Sequence, residues 1–187
     1  AGPADIPTDC DLAVLSPGIR TGSEMASTAA ARMKLVGEIE LAFQFCRCPV
    51  VAVTGTNGKT TTTMLIRHLL DAAGLRVMEA GNIGTPFSGI VTRTAELDAV
   101  VLETSSFQLE TIEGFKPRVA VWLNLSENHL DHHADMDEYR RAKSRIFENQ
   151  TPEDDAVVNA ACDLPPLRAR TTRFSSNGTA ADFTLQG

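Results

Sequence analysis

The sequence predicts an α/β protein in which helices flank a parallel sheet. From Pro49 onward, short apolar runs rich in valine alternate with stretches of helical periodicity, which is the pattern of such a sheet. The first run, residues 50–54, leads directly into a glycine-containing turn and a Lys-Thr-Thr that opens a helix. This order of strand, tight turn and helix N-terminus predicts a phosphate site, because the backbone N–H groups there face an anion.

The residues before Pro49 contain too few elements for a stable α/β domain of their own. Strands are predicted where apolar runs end at turn residues, and helices where apolar residues recur every three to four positions. The predicted elements are a strand at 11–15, a helix at about 23–32, a strand at 34–36 and a helix at 38–45. The chain also starts at Ala1 without a methionine, so we interpret it as a piece of a longer protein.

From Pro49 to residue 159 the predicted strands and helices alternate regularly. The strands are expected at 50–54, 76–80, 99–103, 119–123 and 156–159, and the helices at 59–73, about 86–92 and 136–149. Beyond residue 160 the pattern weakens at Pro165-Pro166 and at 175–178, and the one candidate strand lies at Phe183.

The turn at residues 55–61 is the strongest functional signal. Its glycines let backbone N–H groups close on phosphate oxygens, Lys59 can reach the β- and γ-phosphates of a nucleotide, and Thr60 can offer its hydroxyl to Mg²⁺. The usual phosphate loop has a glycine where this chain has Val53. The alternative is a plain glycine-rich turn between a strand and a helix. The predicted nucleotide-binding residues are Gly55, Thr56, Asn57, Gly58, Lys59, Thr60 and Thr61.

The composition limits the kinds of partner. The 187 residues carry a formal net charge of −7 without a basic cluster, which argues against nucleic acid or an anionic membrane as the main partner. Cys46 and Cys48 are too close for a C-x-x-C redox or zinc motif, so the cysteines are expected to be free or buried thiols. Because neither a signal peptide nor an apolar run of ~18 residues is visible, we expect no membrane span and a cytoplasmic location.

Polar side chains follow three further predicted strands. Glu103 ends one strand, Asn82 lies between glycines after another, and His129 begins a histidine-rich segment after a third. Ligands of parallel sheets bind at the carboxyl ends of the strands, so Glu103 is a candidate metal ligand and Asn82 a candidate ligand contact. The alternatives are a solvated glutamate, a bare turn and solvated histidines. Mg²⁺ prefers oxygen ligands, which leaves His129 at most a minority ligand.

Lys143 lies on the apolar stripe of the helix predicted at 136–149. Met136, Tyr139, Ile146 and Phe147 form that stripe at helical spacing. A lysine in this position either extends its amine to the surface or is buried for a functional reason, and periodicity alone leaves both open.

Together these segments resemble the Mur ligases, and within them the branch that adds D-glutamate. They occur in family order, and the Ser-Ser-Phe-Gln-Leu-Glu of 105–110 favours the D-glutamate branch. Val53 is no anomaly in this family, whose loop resembles T-G-x-N-G-K-[ST]. The matching segments are 16–19, 37–40, 55–61, 81–84, 103–110, 128–131 and 139–149.

The resemblance implies a fold, a reaction and a place in metabolism. The fold is a phosphate-loop NTPase-like central domain, here an incomplete ATP-binding domain at 49–187, preceded at 1–48 by the tail of a Rossmann-like, UDP-binding N-terminal domain. A C-terminal domain is absent from this sequence. ATP activates UDP-N-acetylmuramoyl-L-alanine as an acyl phosphate, and D-glutamate attacks it. The implied setting is peptidoglycan synthesis in the cytoplasm, by a monomer that supports cell shape and division.

The resemblance also implies roles for individual residues. Lys59 is catalytic and holds phosphates, and Thr60, Glu103, His129 and Lys143 hold two Mg²⁺ ions, the second of which depends on carbamylation of Lys143. His129 and Lys143 also count as catalytic. The implied substrate contacts are Asn82, Ser105, Gln108 and Gly18. Asn128 departs from the family, which usually has Asp before this histidine, and Asn removes a charge that could orient His129.

Two other classes of function remain open on the sequence alone. The first is another ATP-dependent ligase, either a different Mur ligase or a folylpolyglutamate synthase. The second is a phosphate-loop nucleotide-binding module without ligase chemistry. Residues 103–110 distinguish the ligases, whereas an inward-facing Lys143 and a histidine-rich segment that faces the metal site would separate a ligase from a simple binding module.

Overall fold

The computed structural model describes residues 2–16, 18–127, 133–176 and 178–184. Its strands are β1 (Leu12–Leu15), β2 (Lys34–Gly37), β3 (Val50–Thr54), β4 (Val77–Gly81), β5 (Ala99–Glu103), β6 (Val119–Trp122), β7 (Asp155–Asn159), β8 (Arg170–Ser175) and β9 (Phe183–Thr184). Its α-helices are α1 (Glu24–Arg32), α2 (Glu38–Phe45), α3 (Lys59–Ala72), α4 (Ser106–Leu109) and α5 (Met136–Ser144). Short 3₁₀ helices cover Pro3–Asp5, Phe87–Gly89, Val91–Glu96 and Arg145–Phe147.

The main sheet confirms the predicted parallel α/β architecture. Seven strands lie in the order β4-β5-β3-β6-β7-β8-β9, and each neighbouring pair is parallel. β1 and β2 form a separate two-stranded parallel sheet. Since β3 lies between β5 and β6, the carboxyl ends of these three strands meet at one edge. The loops that follow them therefore converge on a single site.

The central strands are buried on both faces, as their continuous apolar runs indicate. One face, which includes Ala52 and Leu102, packs under α2, the end of α4 with the loop that follows it, and the 3₁₀ helix after α5. The opposite face carries Val53 and Val101, which α3 covers through Ile66 and Leu70. The sheet thus presents its alternating residues to two helical layers, and the site lies above the strand ends.

Helix α3 turns its most apolar residues away from the sheet. Met64, Leu65 and Leu69 each have more than half of their surface exposed, at 53%, 53% and 58%. Thr63, by contrast, is fully buried, and Ile66 and Leu70 make the contacts with the sheet. Helix α3 thus has apolar residues on both sides, and only Ile66 and Leu70 among them pack on the sheet.

Two predicted helices differ from the structure, and strand β8 was missed. The helix expected at about 86–92 is wrong, because Pro86, Gly89 and a β-branched run disfavour an α-helix, and two 3₁₀ helices form instead. The helix expected at 136–149 ends as an α-helix at Ser144 and continues as one 3₁₀ turn. Strand β8 was not predicted, because its residues Arg170–Ser175 are mostly polar and partly exposed.

Two expectations from composition can be compared with the structure. In the described ranges, no helix combines the length and the apolar character that crossing a membrane requires. The four cysteines are free thiols, as expected. Burial, reinforced by Cys46, raises the pKa of Cys48 to about 12, so this thiol stays protonated and unreactive at neutral pH.

Helix α2 is tied to the main sheet through a buried carboxylate. Its residues Ile39 and Ala42 belong to the main hydrophobic core. Glu40, only 2% exposed, accepts hydrogen bonds from the backbone N–H groups of Glu113, Gly114 and Phe115 at 2.9–3.1 Å. The side chain thereby fixes the loop that leads toward β6. The domain boundary at Pro49 stays a prediction.

Replacement of Glu40 by alanine is expected to lower the free energy of unfolding by about 2–4 kcal/mol, because it leaves backbone donors without their charged acceptor. Glu40→Gln retains one acceptor oxygen and is expected to lose less. Urea unfolding of both variants measures the difference, with Glu96→Ala on an exposed 3₁₀ helix as control. Equal stability of Glu40→Ala and the unchanged protein would contradict this role.

Candidate active site

The phosphate loop connects β3 to α3 and presents the open N-terminus of that helix. Gly58 is the N-cap and has a φ of 80°, a left-handed conformation that favours glycine. At Gly55 a Cβ would lie 3.0 Å from the Cβ of Leu123, so only glycine allows this close approach. The first N–H groups of a helix have no partner inside it, which leaves those of α3 available to an anion.

Asn124, directly after β6, holds the phosphate loop in shape. Its Oδ1 accepts from the backbone N–H groups of Thr56 (3.1 Å) and Asn57 (2.9 Å), and its Nδ2 donates to the Asn57 carbonyl at 3.0 Å. Ser126 contributes a backbone N–H to the hydroxyl of Thr56 at 3.0 Å. The sequence analysis did not single out Asn124. Its position at the end of a strand next to β3 was the one available signal.

Replacement of Asn124 by alanine is expected to weaken nucleotide binding by roughly tenfold, because the loop loses three hydrogen bonds that preorganise it. Asn124→Asp keeps the acceptor but loses the donor and adds a negative charge beside the phosphates, so it should bind at least as weakly. Calorimetric titration with ADP and Mg²⁺ tests both variants against Asn149→Ala, whose amide bonds to a distant loop. Unchanged affinity in Asn124→Ala would contradict the assignment.

Glu103 brings the phosphate loop and the predicted substrate loop together. Its side chain is buried, at 3% exposure, and its two oxygens accept from the Thr60 hydroxyl at 2.7 Å and from Asn82 Nδ2 at 2.9 Å. The β3–β5 register places Glu103 beside Val53, at the base of the loop. A buried carboxylate beside a threonine hydroxyl is an oxygen donor set that suits Mg²⁺.

Lys59 and Lys143 converge on one backbone carbonyl. The amine of Lys59 donates to the carbonyls of Gly55 and Thr56, and the amine of Lys143 donates to the same Gly55 carbonyl, each at 3.0 Å. A bound polyphosphate would offer Lys59 stronger, charged acceptors in place of these carbonyls. The two lysines thus border the same space beside the loop.

Lys143 is buried rather than extended to the surface, which decides the alternative left open by periodicity. It is 1% exposed, and its amine lies 4.7 Å from the centre of the Tyr139 ring. Burial lowers its pKa from 10.5 to about 7, with a further contribution from Lys59 and an opposing one from Glu103. At neutral pH a large share of this amine is therefore uncharged.

Two of the four predicted substrate residues line a cleft of about 450 Å³, and the other two, Ser105 and Gly18, do not. Asn82 and Gln108 line it, together with Ser16 at the end of β1 and Glu38 at the start of α2. Ser105 and Gln108 cap α4 reciprocally, with the Ser105 hydroxyl and N–H donating to Gln108 Oε1 at 3.1 and 3.0 Å. Gly18 is exposed, two residues beyond Ser16.

Several predicted site residues lie outside the described ranges. They are His129, its neighbour Asn128 and the remainder of the segment through His132. Among the residues that the structure does describe, no group of three His, Cys, Asp or Glu side chains is arranged to hold a metal ion. Thr60 and Glu103 are described residues whose oxygen atoms would suit a metal ion at this site.

Comparisons with known proteins show what this chain is similar to. A family model described as the Mur ligase middle domain matches residues 53–186. The chain is 47% identical over 150 residues to the UDP-N-acetylmuramoylalanine–D-glutamate ligase of Thermoanaerobacter pseudethanolicus. The matched residues make up 80% of this chain but only 33% of that protein. The chain thus spans about a third of the length of the curated relatives it matches.

Solved structures show the same fold at low sequence identity. A UDP-N-acetylmuramoyl-L-alanyl-D-glutamate–2,6-diaminopimelate ligase superposes with a TM-score of 0.66 and 22% identity, over 94% of this chain and 47% of its own. The MurF ligase of Thermotoga maritima, solved in complex with ADP, gives a TM-score of 0.59 and 20% identity, over 95% of this chain and 50% of its own.

Proposed function

Because the chain belongs to the Mur ligase family, we propose that it forms the ATP-binding centre of a ligase that joins D-glutamate to UDP-N-acetylmuramoyl-L-alanine. The observation that carries this proposal is the convergence of Lys59, Lys143 and Glu103 between the phosphate loop and the cleft. A phosphate donor on one side and a carboxylate substrate on the other would meet at this point.

The proposed reaction has two steps. An oxygen of the substrate carboxylate attacks the γ-phosphorus of ATP, ADP leaves, and an acyl phosphate forms. The amine of D-glutamate then attacks the acyl carbon, inorganic phosphate leaves with the former carboxylate oxygen, and an amide remains. Lys59 and the first N–H groups of α3 bind the phosphates of ATP, and the positive charge of Lys59 offsets the charge that develops on them.

Thr60 and Glu103 are the residues that would hold Mg²⁺, which, when bound, neutralises phosphate charge and orients the transferred group. We assign Lys143 to a second Mg²⁺ as a carbamate. Its uncharged amine can add CO₂ and release a proton, and the resulting carbamate offers two oxygens that share one negative charge near Glu103. His129 is proposed as a further ligand and catalytic residue.

We assign the cleft to the UDP-sugar substrate, with Asn82, Ser105, Gln108 and Gly18 as contacts. Asn82 donates to Glu103 and also lines the cleft, so it connects the substrate to the metal site. We further propose that the protein works as a monomer in the cytoplasm, as part of the peptidoglycan synthesis on which cell shape and division depend.

The test is which acceptor supports ATP hydrolysis. A protein that contains this chain and the further length seen in its relatives is expected to form an amide with UDP-N-acetylmuramoyl-L-alanine and D-glutamate, and not with folate or with diaminopimelate.

Residues 1–187 alone are expected to show no turnover. Holding the three reactants together can lower the activation barrier by roughly 7–11 kcal/mol, and we expect that to need the remaining domains. Turnover with another acceptor would replace the proposed substrate, whereas nucleotide binding without any amide formation would favour a simple binding module.

A further inference from the structure

A second polar cluster lies beside the proposed active site and has no role in the reaction described above. Nε2 of His133 lies 3.0 Å from the hydroxyl of Ser106, and its Nδ1 faces a carboxylate oxygen of Glu110 at 3.5 Å. The imidazole is 1% exposed and packs beside the rings of Phe107 (5.7 Å between centroids) and Tyr139 (5.0 Å). We refer to Ser106, His133 and Glu110 as the histidine cluster.

The arrangement of serine, histidine and carboxylate is that of a hydrolytic triad, but its burial excludes that chemistry. Ser106 is only 1% exposed and lies inside α4, so no substrate can reach its hydroxyl. A nucleophile has to approach a reacting atom within about 3–3.5 Å. The histidine cluster is therefore a structural arrangement, and its effect on function has to act through the residues it touches.

One hydrogen bond and one carboxylate neighbour set the orientation of the His133 ring. Nε2 shares a hydrogen bond with the Ser106 hydroxyl, whereas Nδ1 lies 3.5 Å from a carboxylate oxygen of Glu110 without completing a hydrogen bond to it. Because a carboxylate only accepts hydrogen bonds, Nδ1 is the nitrogen that would present a proton to Glu110. Rotation of the ring would break the hydrogen bond to Ser106 and move Nδ1 away from Glu110. The ring therefore offers a fixed surface to Tyr139.

Tyr139 connects the histidine cluster to the proposed active site, because it contacts residues of both. Its hydroxyl lies 3.5 Å from the hydroxyl of Thr56 in the phosphate loop, and its ring lies under the amine of Lys143, one helical turn further along α5. On the other side of the cluster, Glu110 accepts from the hydroxyl of Thr21, in the segment that follows β1 and the wall of the cleft.

We propose that His133 and Glu110 are positioning residues that align Tyr139, and through it Thr56 and Lys143, with the cleft. We assign His133 and Glu110 no direct part in the reaction, because neither side chain lines the cleft. This inference deepens the proposed function and rests on it. It predicts that loss of the two ring contacts disturbs the phosphate loop and α5 while leaving the central sheet intact.

The decisive variant is His133→Phe, which keeps an aromatic ring for packing but removes both nitrogens. In residues 1–187, amide hydrogen exchange is expected to become faster at residues 56–60 and along α5, and to stay unchanged in β3 and β5. Glu110→Ala should act in the same direction, and Glu110→Gln should recover much of the effect because it keeps an acceptor facing Nδ1. His68→Phe, on the exposed side of α3, is the matched control.

In the whole ligase, His133→Phe is expected to lower kcat by roughly 10–100-fold, as is typical when a residue that orients a metal ligand is lost, and to raise the KM for ATP because the phosphate loop is less well ordered. Unchanged exchange at residues 56–60, or equally faster exchange throughout the sheet, would overturn the positioning role. If the unchanged whole protein forms no amide, the proposed function fails, whereas the exchange experiment still decides the role of the histidine cluster.

Discussion

Replacement of Lys143 by alanine is expected to remove most of the ligase activity of the whole protein, with small carboxylates such as formate or acetate restoring part of it. The variant loses the anionic oxygens that a carbamate would supply to the second Mg²⁺, and a small carboxylate can fill the vacated position. Lys143→Arg should not restore activity, because a guanidinium stays charged and cannot add CO₂. The mass of Lys143 in enzyme equilibrated with bicarbonate and metal is the direct measurement.

The lowered pKa of Lys143 adds a pH dependence to this expectation. Carbamate forms from the uncharged amine, so its yield should fall as the pH drops below the folded pKa of about 7. In the absence of bicarbonate, the unfolded chain binds the proton more tightly than the folded one, since the pKa rises to about 10.5 on unfolding. Stability should therefore rise with pH between about 7 and 10.5, and Lys143→Met should abolish that slope.

Two results would contradict the assignment of Lys143. One is an active Lys143→Arg variant with an unmodified lysine in the unchanged enzyme. The other is a pH slope of stability that is the same in Lys143→Met as in the unchanged chain. Lys116→Ala is a suitable control, because Lys116 is partly exposed and pairs with Asp154 far from the phosphate loop.

Replacement of Lys59 by alanine is expected to abolish measurable binding of ADP or ATP with Mg²⁺. The amine would exchange the two carbonyls that it now contacts for phosphate oxygens, and each charge-assisted hydrogen bond is worth roughly 1.5–3 kcal/mol. We expect the affinity of residues 1–187 for nucleotide to be weak at the outset. Calorimetry on Lys59→Ala and on the exposed control Lys34→Ala makes the comparison.

The same variant has a second expected effect that is independent of nucleotide. Lys59 is one of the causes that lower the pKa of Lys143, so its removal should move that pKa upward. The pH slope of stability in Lys59→Ala should then begin above pH 7. Equal nucleotide binding by Lys59→Ala and the unchanged chain would show that the loop does not bind phosphates in the way we propose.

The phosphate loop and the strands beside it could be read from local sequence alone. Strand β3 and strand β5 have the predicted bounds, since a continuous valine-rich run between turn residues has few other ways to bury itself. Residues 55–61 form the predicted turn because glycine at positions 55 and 58 meets requirements of the backbone itself. Such features depend on residues that are adjacent in the chain, so they can be predicted from the local sequence.

Other elements could not be predicted because their signals are weak or shared with other structures. The mostly polar β8 joins the sheet only by pairing with β7, and the segment at 86–92 has helical periodicity but residues that disfavour a full α-helix. Helix α3 packs on the sheet through Ile66 and Leu70, whereas Met64, Leu65 and Leu69 are exposed, and which of its apolar residues face the sheet depends on how the helix is placed in the fold.

The sequence by itself determined the class of fold, the phosphate loop and the family. Only the tertiary structure decided that Lys143 is buried against Gly55, that Asn124 holds the loop and that His133 contacts Ser106. Each of these contacts joins residues that are at least 27 positions apart. Whether these side chains meet depends on the order of the strands and on which loops lie together at the edge of the sheet. The pattern of neighbouring residues in the sequence does not determine that order.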